Sequence, residues 1–197
     1  MEASILQPQF AAKIADLYNR MEKAYDIVAR QLDFTCQGCL DNCCDSYFLH
    51  HTYVEWAYLW VGIGALSAER RKALENRAAD YAAACEAALA RDERPQVMCP
   101  LNEEGRCCLY EHRLMICRMH GVPSSLTFPN GQAKKFPGCF RCQEIVGSRQ
   151  ATPAVERAPL FRELVALEQE LLGEQQGHMP KVKKTIADMI LMGAPRL

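Results

Sequence analysis

The residues that could do chemistry are cysteines: eleven in a chain of 197. They fall into three groups. The first is Cys36-x-x-Cys39-x-x-x-Cys43-Cys44, the second is Cys99, Cys107, Cys108 and Cys117, and the third is Cys139-x-x-Cys142. In a Cys-x-x-Cys loop two sulfurs converge on one ion while the backbone amides of the turn point at them. Gly38 in the first loop and Pro137-Gly138 before the second suit such turns. Two such loops and five further candidate cysteines nearby in sequence are a thiolate–metal pattern. The candidate ligands are Cys36, Cys39, Cys43, Cys44, Cys99, Cys107, Cys117, Cys139 and Cys142. Cys85 stands apart, on the apolar face of a helix, and reads as a small core residue. A thioredoxin-like redox loop would need a strand before its Cys-x-x-Cys, and here an amphipathic helix precedes Cys36.

Zinc takes four thiolates in a closed tetrahedron, and iron–sulfur clusters also take four cysteines each. Nine candidate ligands provide for two such sites with one sulfur spare. Adjacent cysteines such as Cys43 and Cys44 do not both chelate one ion easily, because successive side chains diverge; they suit two neighbouring sites, or one ligand and one buried thiol. Spacing leaves zinc and iron both open. A tetrathiolate zinc site carries a net charge of about −2, so nearby cations matter. Arg113, Arg118, Lys134, Lys135 and Arg141 lie among the later cysteines and could offset that charge. Arg118 reads equally as a counter-charge or as surface; Lys134 and Lys135, at a hairpin, read as surface. His50, His51, His112 and His120 are secondary ligand candidates beside so much sulfur, and His178 has no metal-like context.

These groups are separated by helices. Phe10, Ile14, Leu17, Met21, Tyr25, Val28 and Leu32 recur at three–four spacing, predicting a helix from about Gln9 to Leu32. Thr52 and Glu55 form a capping-box pattern ahead of Trp56, Leu59 and Trp60, with Gly62 and Gly64 ending that helix. Ser67 starts a third, to about Arg91, with Leu74, Ala78, Tyr81, Cys85 and Leu89 on its apolar face. From Pro95 to about Ala151 the helical period fails. Asn130-Gly131 marks a two-residue hairpin turn between Leu126 and Phe136, and Tyr110 to Met119 reads as one short helix. Leu160, Leu164, Leu167 and Leu171 predict a further helix stopped by Gly173, and Pro180 opens a last one with Val182, Ile186 and Ile190 inward. The expected fold is mainly α: helices bracing a loop-rich, cysteine-metal-clamped centre with one small β-hairpin. It is expected as a single domain over 1–197, with a cysteine-cluster core at 36–142 and flanking helices at 1–34 and 153–197.

Lys and Arg number 23 and Asp and Glu 24, a net charge of −1, which argues against nucleic acid as a partner. The most apolar stretch, Tyr53 to Leu66, contains Glu55 and two glycines and falls short of the roughly 20 apolar residues of a spanning helix, so no membrane role is expected. With no basic, apolar leader at the N-terminus, a reducing cytoplasm is the expected compartment. There is no Gly-rich phosphate loop and no Gly-x-Ser-x-Gly. Eleven thiols offer too many partners to single out a Cys–His nucleophile pair.

The run Cys36-Gln-Gly-Cys39-Leu-Asp-Asn-Cys43-Cys44, then Cys99-Pro100-Leu101, then Gly105-Arg-Cys107-Cys108-Leu-Tyr110-Glu111-His-Arg113-Leu-Met-Ile-Cys117-Arg118, resembles the YkgJ-like cysteine-cluster family. That family is also known by its CxxCxxCC run and is described as a zinc- or iron-chelating domain. The likeness covers roughly Cys36 to Cys142. By position, Cys36, Cys39, Cys43 and Cys44 match the first run, Cys99 the Cys-Pro cysteine, Cys107 the next, Cys117 the Cys-Arg cysteine, and Cys139 or Cys142 the late one; Cys108 is extra. Two departures stand out: three residues separate Cys39 from Cys43 where the family name has two, and Leu114 stands where the family usually has proline. The resemblance implies metal chelation, with zinc or an iron–sulfur cluster as cofactor, and leaves enzymatic activity undecided. It leaves open a redox protein with an electron-transfer partner, a zinc-stabilised scaffold that binds another protein, and a maturation enzyme acting on a peptide or protein.

Overall fold

Helical periodicity decides most of the architecture. The computed structural model describes residues 5–36, 43–147, 149 and 151–197. Its elements are α1 (Pro8–Gln31), α2 (Tyr53–Gly64), α3 (Ala68–Leu89), β1 (Asn102–Glu103), β2 (Arg106–Cys107), α4 (Met115–Met119), β3 (Ser124–Thr127), β4 (Ala133–Phe136), α5 (Phe140–Val146), β5 (Val155–Glu156), α6 (Ala158–Leu172) and α7 (Ile186–Leu191). The fold is mainly α with small β elements, as the sequence predicts.

α2 is the hub. It is buried on nearly every side, as an apolar sequence without a polar face requires. Val54, Ala57 and Tyr58 pack into one apolar cluster with Ile14, Leu17 and Met21 of α1, Leu164 and Leu167 of α6, and Met115 and Met119 of α4. Trp56, Leu59 and Ile63 pack into a second with Leu74, Ala78 and Tyr81 of α3 and Ile186, Met189 and Ile190 of α7. The first four amides of α2 all find acceptors, which a buried helix start requires. Tyr53 and Val54 donate to the two carboxylate oxygens of Glu168, at 2.8 and 2.7 Å. Glu55 donates to the Thr52 hydroxyl and Trp56 to the Thr52 carbonyl, both at 3.4 Å.

Glu55 is more than a capping residue. It is 5% exposed, accepts from the Thr52 hydroxyl at 2.7 Å, and takes the Met115 backbone N–H at 2.7 Å. That bond ties α2 to the segment carrying Cys117. It also accounts for a departure from the sequence reading, because Tyr110 to Met119 is not one helix. A 3-10 turn spans Tyr110–His112, the backbone extends at Arg113 and Leu114, and α4 begins at Met115. Arg118 holds the break open by donating to the carbonyls of Arg113, Tyr110 and Glu111 at 2.8, 3.1 and 2.7 Å.

Three other expectations are corrected. The Asn130-Gly131 hairpin exists, with Ser124 opposite Phe136 and Thr127 opposite Ala133. Its connection is the five-residue stretch 128–132, closed by Phe128 N–H on the Gln132 carbonyl at 2.8 Å, rather than a two-residue turn. The last helix begins at Ile186, not Pro180, because Thr185 and Asp188 form a full capping box there. A second hairpin, β1–β2, turns at Glu104 and Gly105, both at positive φ. β5 extends the larger sheet by pairing parallel to β3, giving the order β4-β3-β5.

Candidate metal centre

The four thiols of Cys44, Cys99, Cys107 and Cys117 come from four separate segments. Cys44 sits in a 3-10 turn (Cys43–Asp45), and its carbonyl accepts the Cys99 N–H at 2.8 Å. The chains run on together through an antiparallel bridge between Ser46 and Gln96. Cys107 lies on β2 opposite Asn102 of β1, which puts it beside the turn that follows Cys99. Cys117 is carried by α4.

Cys99 and Cys107 are built alike. In Cys99-Pro100-Leu101 the Leu101 N–H points at the Cys99 sulfur, and in Cys107-Cys108-Leu109 the Leu109 N–H points at the Cys107 sulfur. Both leucines are buried and anchor their turns in the second apolar cluster. Such amide–sulfur bonds favour the thiolate.

Burial nonetheless pushes Cys99 up to about 12 and Cys107 up to about 11. It raises Cys117 well above the ordinary thiol range. Within the set of four, every pair interacts: ionised Cys44, Cys99 and Cys107 all raise Cys117, and Cys44 and Cys107 raise Cys99. Cys44 goes the other way. The Cys43 thiol donates to it, and the Asn102 amide and the Arg113 guanidinium further favour its thiolate. The buried Asn102 Nδ2 completes no hydrogen bond of good geometry; the Cys44 sulfur is the neighbour it acts on. Buried and crowded, these thiols favour their neutral form, and a bound cation is what would stabilise the thiolates.

Arg113, not Arg118, is the cation that serves this cluster. It lies over the Tyr110 ring at 3.7 Å, lowers the pKa of Cys44, Cys107 and Cys117, and leaves its buried Nε without a partner. Arg118 is 4% exposed; it stacks over Tyr18 at 4.3 Å and commits its donors to carbonyls. It is therefore neither surface charge nor a donor to sulfur. Lys134 and Lys135 are exposed on β4. Cys108 also raises Cys99 and Cys107, and it lies within reach of Glu103, Arg77 and Arg70.

Cys36, Cys139 and Cys142 gather elsewhere. Cys142 is fully buried in the first apolar cluster, with Cys139 packed against it. The Cys36 sulfur lies 3.6 Å from the Tyr25 hydroxyl. Burial pushes Cys142 up to about 11, with Cys139 and Cys36 adding to the shift. Cys43 stands between the two groups, affected by Cys44 and Cys117 on one side and by Cys36 on the other. Cys39 lies outside the described residues. Cys85 is buried on α3, with the Tyr81 hydroxyl directed at its sulfur.

The histidines are otherwise engaged. His50 is buried, its backbone bridged to Lys184. His51 Nδ1 lies 3.2 Å from the Val182 carbonyl, His112 packs on the Tyr58 ring at 4.7 Å, and His120 on the Phe48 ring at 5.0 Å. Among the described residues, no three His, Cys, Asp or Glu side chains are already drawn together as a metal-holding group. Sequence reasoning missed Tyr25, Asn102 and Gly121, whose roles come from contacts across the fold; Tyr25 reads along the chain as one more apolar residue of α1.

No family model matches the chain, and no curated protein or solved structure matches it.

Proposed function

We propose that the chain is a cytoplasmic metal-binding protein that chelates zinc or an iron–sulfur cluster through clustered cysteine thiolates. The observation that carries this reading is the Cys44–Cys99–Cys107–Cys117 set: four sulfurs in mutual electrostatic reach, two of them already facing backbone N–H groups, with Arg113 beside them. The donor set fits the group. Four thiolates are what tetrahedral zinc and iron–sulfur clusters both take, amide donors stabilise the thiolates, and one guanidinium offsets part of the surplus negative charge. In a zinc tetrathiolate the sulfurs stand about 3.8 Å apart, so loading draws these side chains inward on turns already aimed at them. The resemblance of the cysteine run to the YkgJ-like family points the same way. Among the described residues no helix is long and apolar enough to cross a membrane.

Two roles follow from the two cofactors. An iron–sulfur cluster would make the chain an electron carrier for a redox partner, and zinc would make it a stabilised scaffold for another protein. The deciding experiment is elemental analysis with visible and electron-paramagnetic spectra on protein kept anaerobic from lysis onward. Iron, sulfide and visible absorption favour the electron carrier; near-stoichiometric zinc in a colourless protein favours the scaffold. Protein that holds neither metal, and takes up neither under reducing conditions, refutes chelation altogether.

A further inference from the structure

We propose that the cavity between the start of α2 and the segment that follows α6 is a binding site for a small free amine, taken up as its alkylammonium ion. This site stands apart from the thiols and does not depend on chelation.

The cavity has a volume of about 260 Å³, and its walls include His51, Tyr53, Glu168, Leu172, Met179 and Val182. Sites for drug-sized ligands run to roughly 300–1,000 Å³, so the space suits a molecule of few atoms. One wall is a strap over 178–184, pinned to the start of α2 at three points. The Tyr53 hydroxyl donates to the Pro180 carbonyl at 2.9 Å. His51 Nδ1 lies 3.2 Å from the Val182 carbonyl. His50 and Lys184 exchange backbone bonds at 2.8 and 3.1 Å.

The polar groups of this cavity are mostly acceptors. A carbonyl oxygen only accepts, so the Val182 contact sets the His51 proton on Nδ1 and leaves Nε2 with its lone pair in the neutral ring. Glu168 is half-buried. Its two oxygens take the Tyr53 and Val54 amides, but a carboxylate has about four lone-pair directions, and the other two remain for a ligand. Among the described residues no Lys, Arg or His stands in ion-pair contact with Glu168. Lys181 also lines the space but is exposed. Burial raises the Glu168 pKa above its ordinary value, and a bound cation would favour its charged form.

A half-buried carboxylate, an imidazole acceptor and an aromatic ring together select a donor-rich cation. A primary ammonium carries three N–H donors on one compact charge. Leu172, Met179 and Val182 offer its short alkyl chain an apolar wall. The start of α2 draws on part of the carboxylate's charge, so binding should be of about millimolar strength.

The test is a titration of the isotope-labelled protein as isolated, its metal content unchanged, with n-butylammonium chloride at constant ionic strength. Amide shifts are followed by two-dimensional nuclear magnetic resonance. Residues 51–54, 168 and 179–182 should shift saturably. The uncharged n-butanol should bind about tenfold more weakly, and Glu168→Gln should weaken n-butylammonium by a similar factor. Met179→Trp, which fills the space from the strap, should abolish the shifts with circular dichroism unchanged. Shifts that never saturate, equal binding of n-butanol, or wild-type affinity in folded Met179→Trp overturns the site. Equal or tighter binding of Nα-acetyl-lysine-N-methylamide overturns the free amine as occupant, since the same head would then belong to a peptide.

Discussion

If the chain chelates a metal as proposed, stripping it should cost the protein most of its stability. The first thiol set is carried by a three-residue 3-10 turn, an irregular segment at Cys99, one strand of two residues and a five-residue helix. Such pieces do not persist on local propensity. Cys44 and Cys99 stand 55 residues apart, Cys99 and Cys107 8, and Cys107 and Cys117 10. Closing those three loops costs about 7 kcal/mol of chain entropy. A structural zinc ion returns on the order of 10 kcal/mol or more, against a whole-domain stability of about 5–15 kcal/mol. Losing about 7–10 kcal/mol at roughly 2–4 °C per kcal/mol should lower the melting temperature by about 15–40 °C. The assay is a thermal melt followed by far-ultraviolet circular dichroism, before and after chelation, with metal content measured on both samples and a reductant present throughout. An unchanged melt after confirmed metal removal would show that packing alone holds the loops, and the structural role would be lost.

Cys85→Ala should leave the metal-to-protein ratio unchanged and cost only about 1 kcal/mol, as a small truncation in a helix-packed core does; a variant that lost its metal would place Cys85 among the ligands. Glu168→Ala orphans the Tyr53 and Val54 amides at the start of α2. At about 1.5–3 kcal/mol per bond to a charged acceptor, reduced because water reaches this partly exposed site, the loss should be about 2–4 kcal/mol. Glu168→Gln should recover part of it in urea denaturation, and a Glu168→Ala midpoint equal to wild type would contradict the helix-start accounting. Burial holds His50 down at about 3, so between that value and the unfolded value near 6.5 the unfolded chain carries a proton the native state refuses. Stability should therefore fall as pH drops, by about 1.4 kcal/mol per pH unit in that window. From pH 7 to pH 5 wild type should lose about 2 kcal/mol more than His50→Gln; equal losses would mean the imidazole is not held neutral.

The long helices were legible because their apolar positions are periodic, and α2 and α3 also have capped starts. Ser67 accepts from Arg70 N–H as its position before a helix predicts, and α1 buries Ile14, Leu17, Met21 and Val28 from its expected stripe. The centre was less legible because distant partners decide it. Only a carboxylate 60 residues away, on Glu55, explains why a helix starts at Met115. α5 gave no periodic signal since its first residue, Phe140, is 80% exposed, and β5 owes its existence to pairing with β3 some 30 residues earlier. Cysteine spacing named the candidate thiols but not how they divide. That division depends on which apolar cluster each loop packs against, and on Gly121 making room for a tyrosine hydroxyl from α1.

Both tryptophans of the chain are on α2, and both indole N–H groups point to the end of α7. Trp56 donates to the carbonyls of Met189 and Gly193 at 3.1 and 2.9 Å, and Trp60 to Met189 at 2.9 Å. Intrinsic tryptophan fluorescence therefore reports how α7 seats on α2. The Glu55–Met115 bond connects the two regions. It makes the indoles an internal optical sensor of whether the segment bearing Cys117 has settled into place.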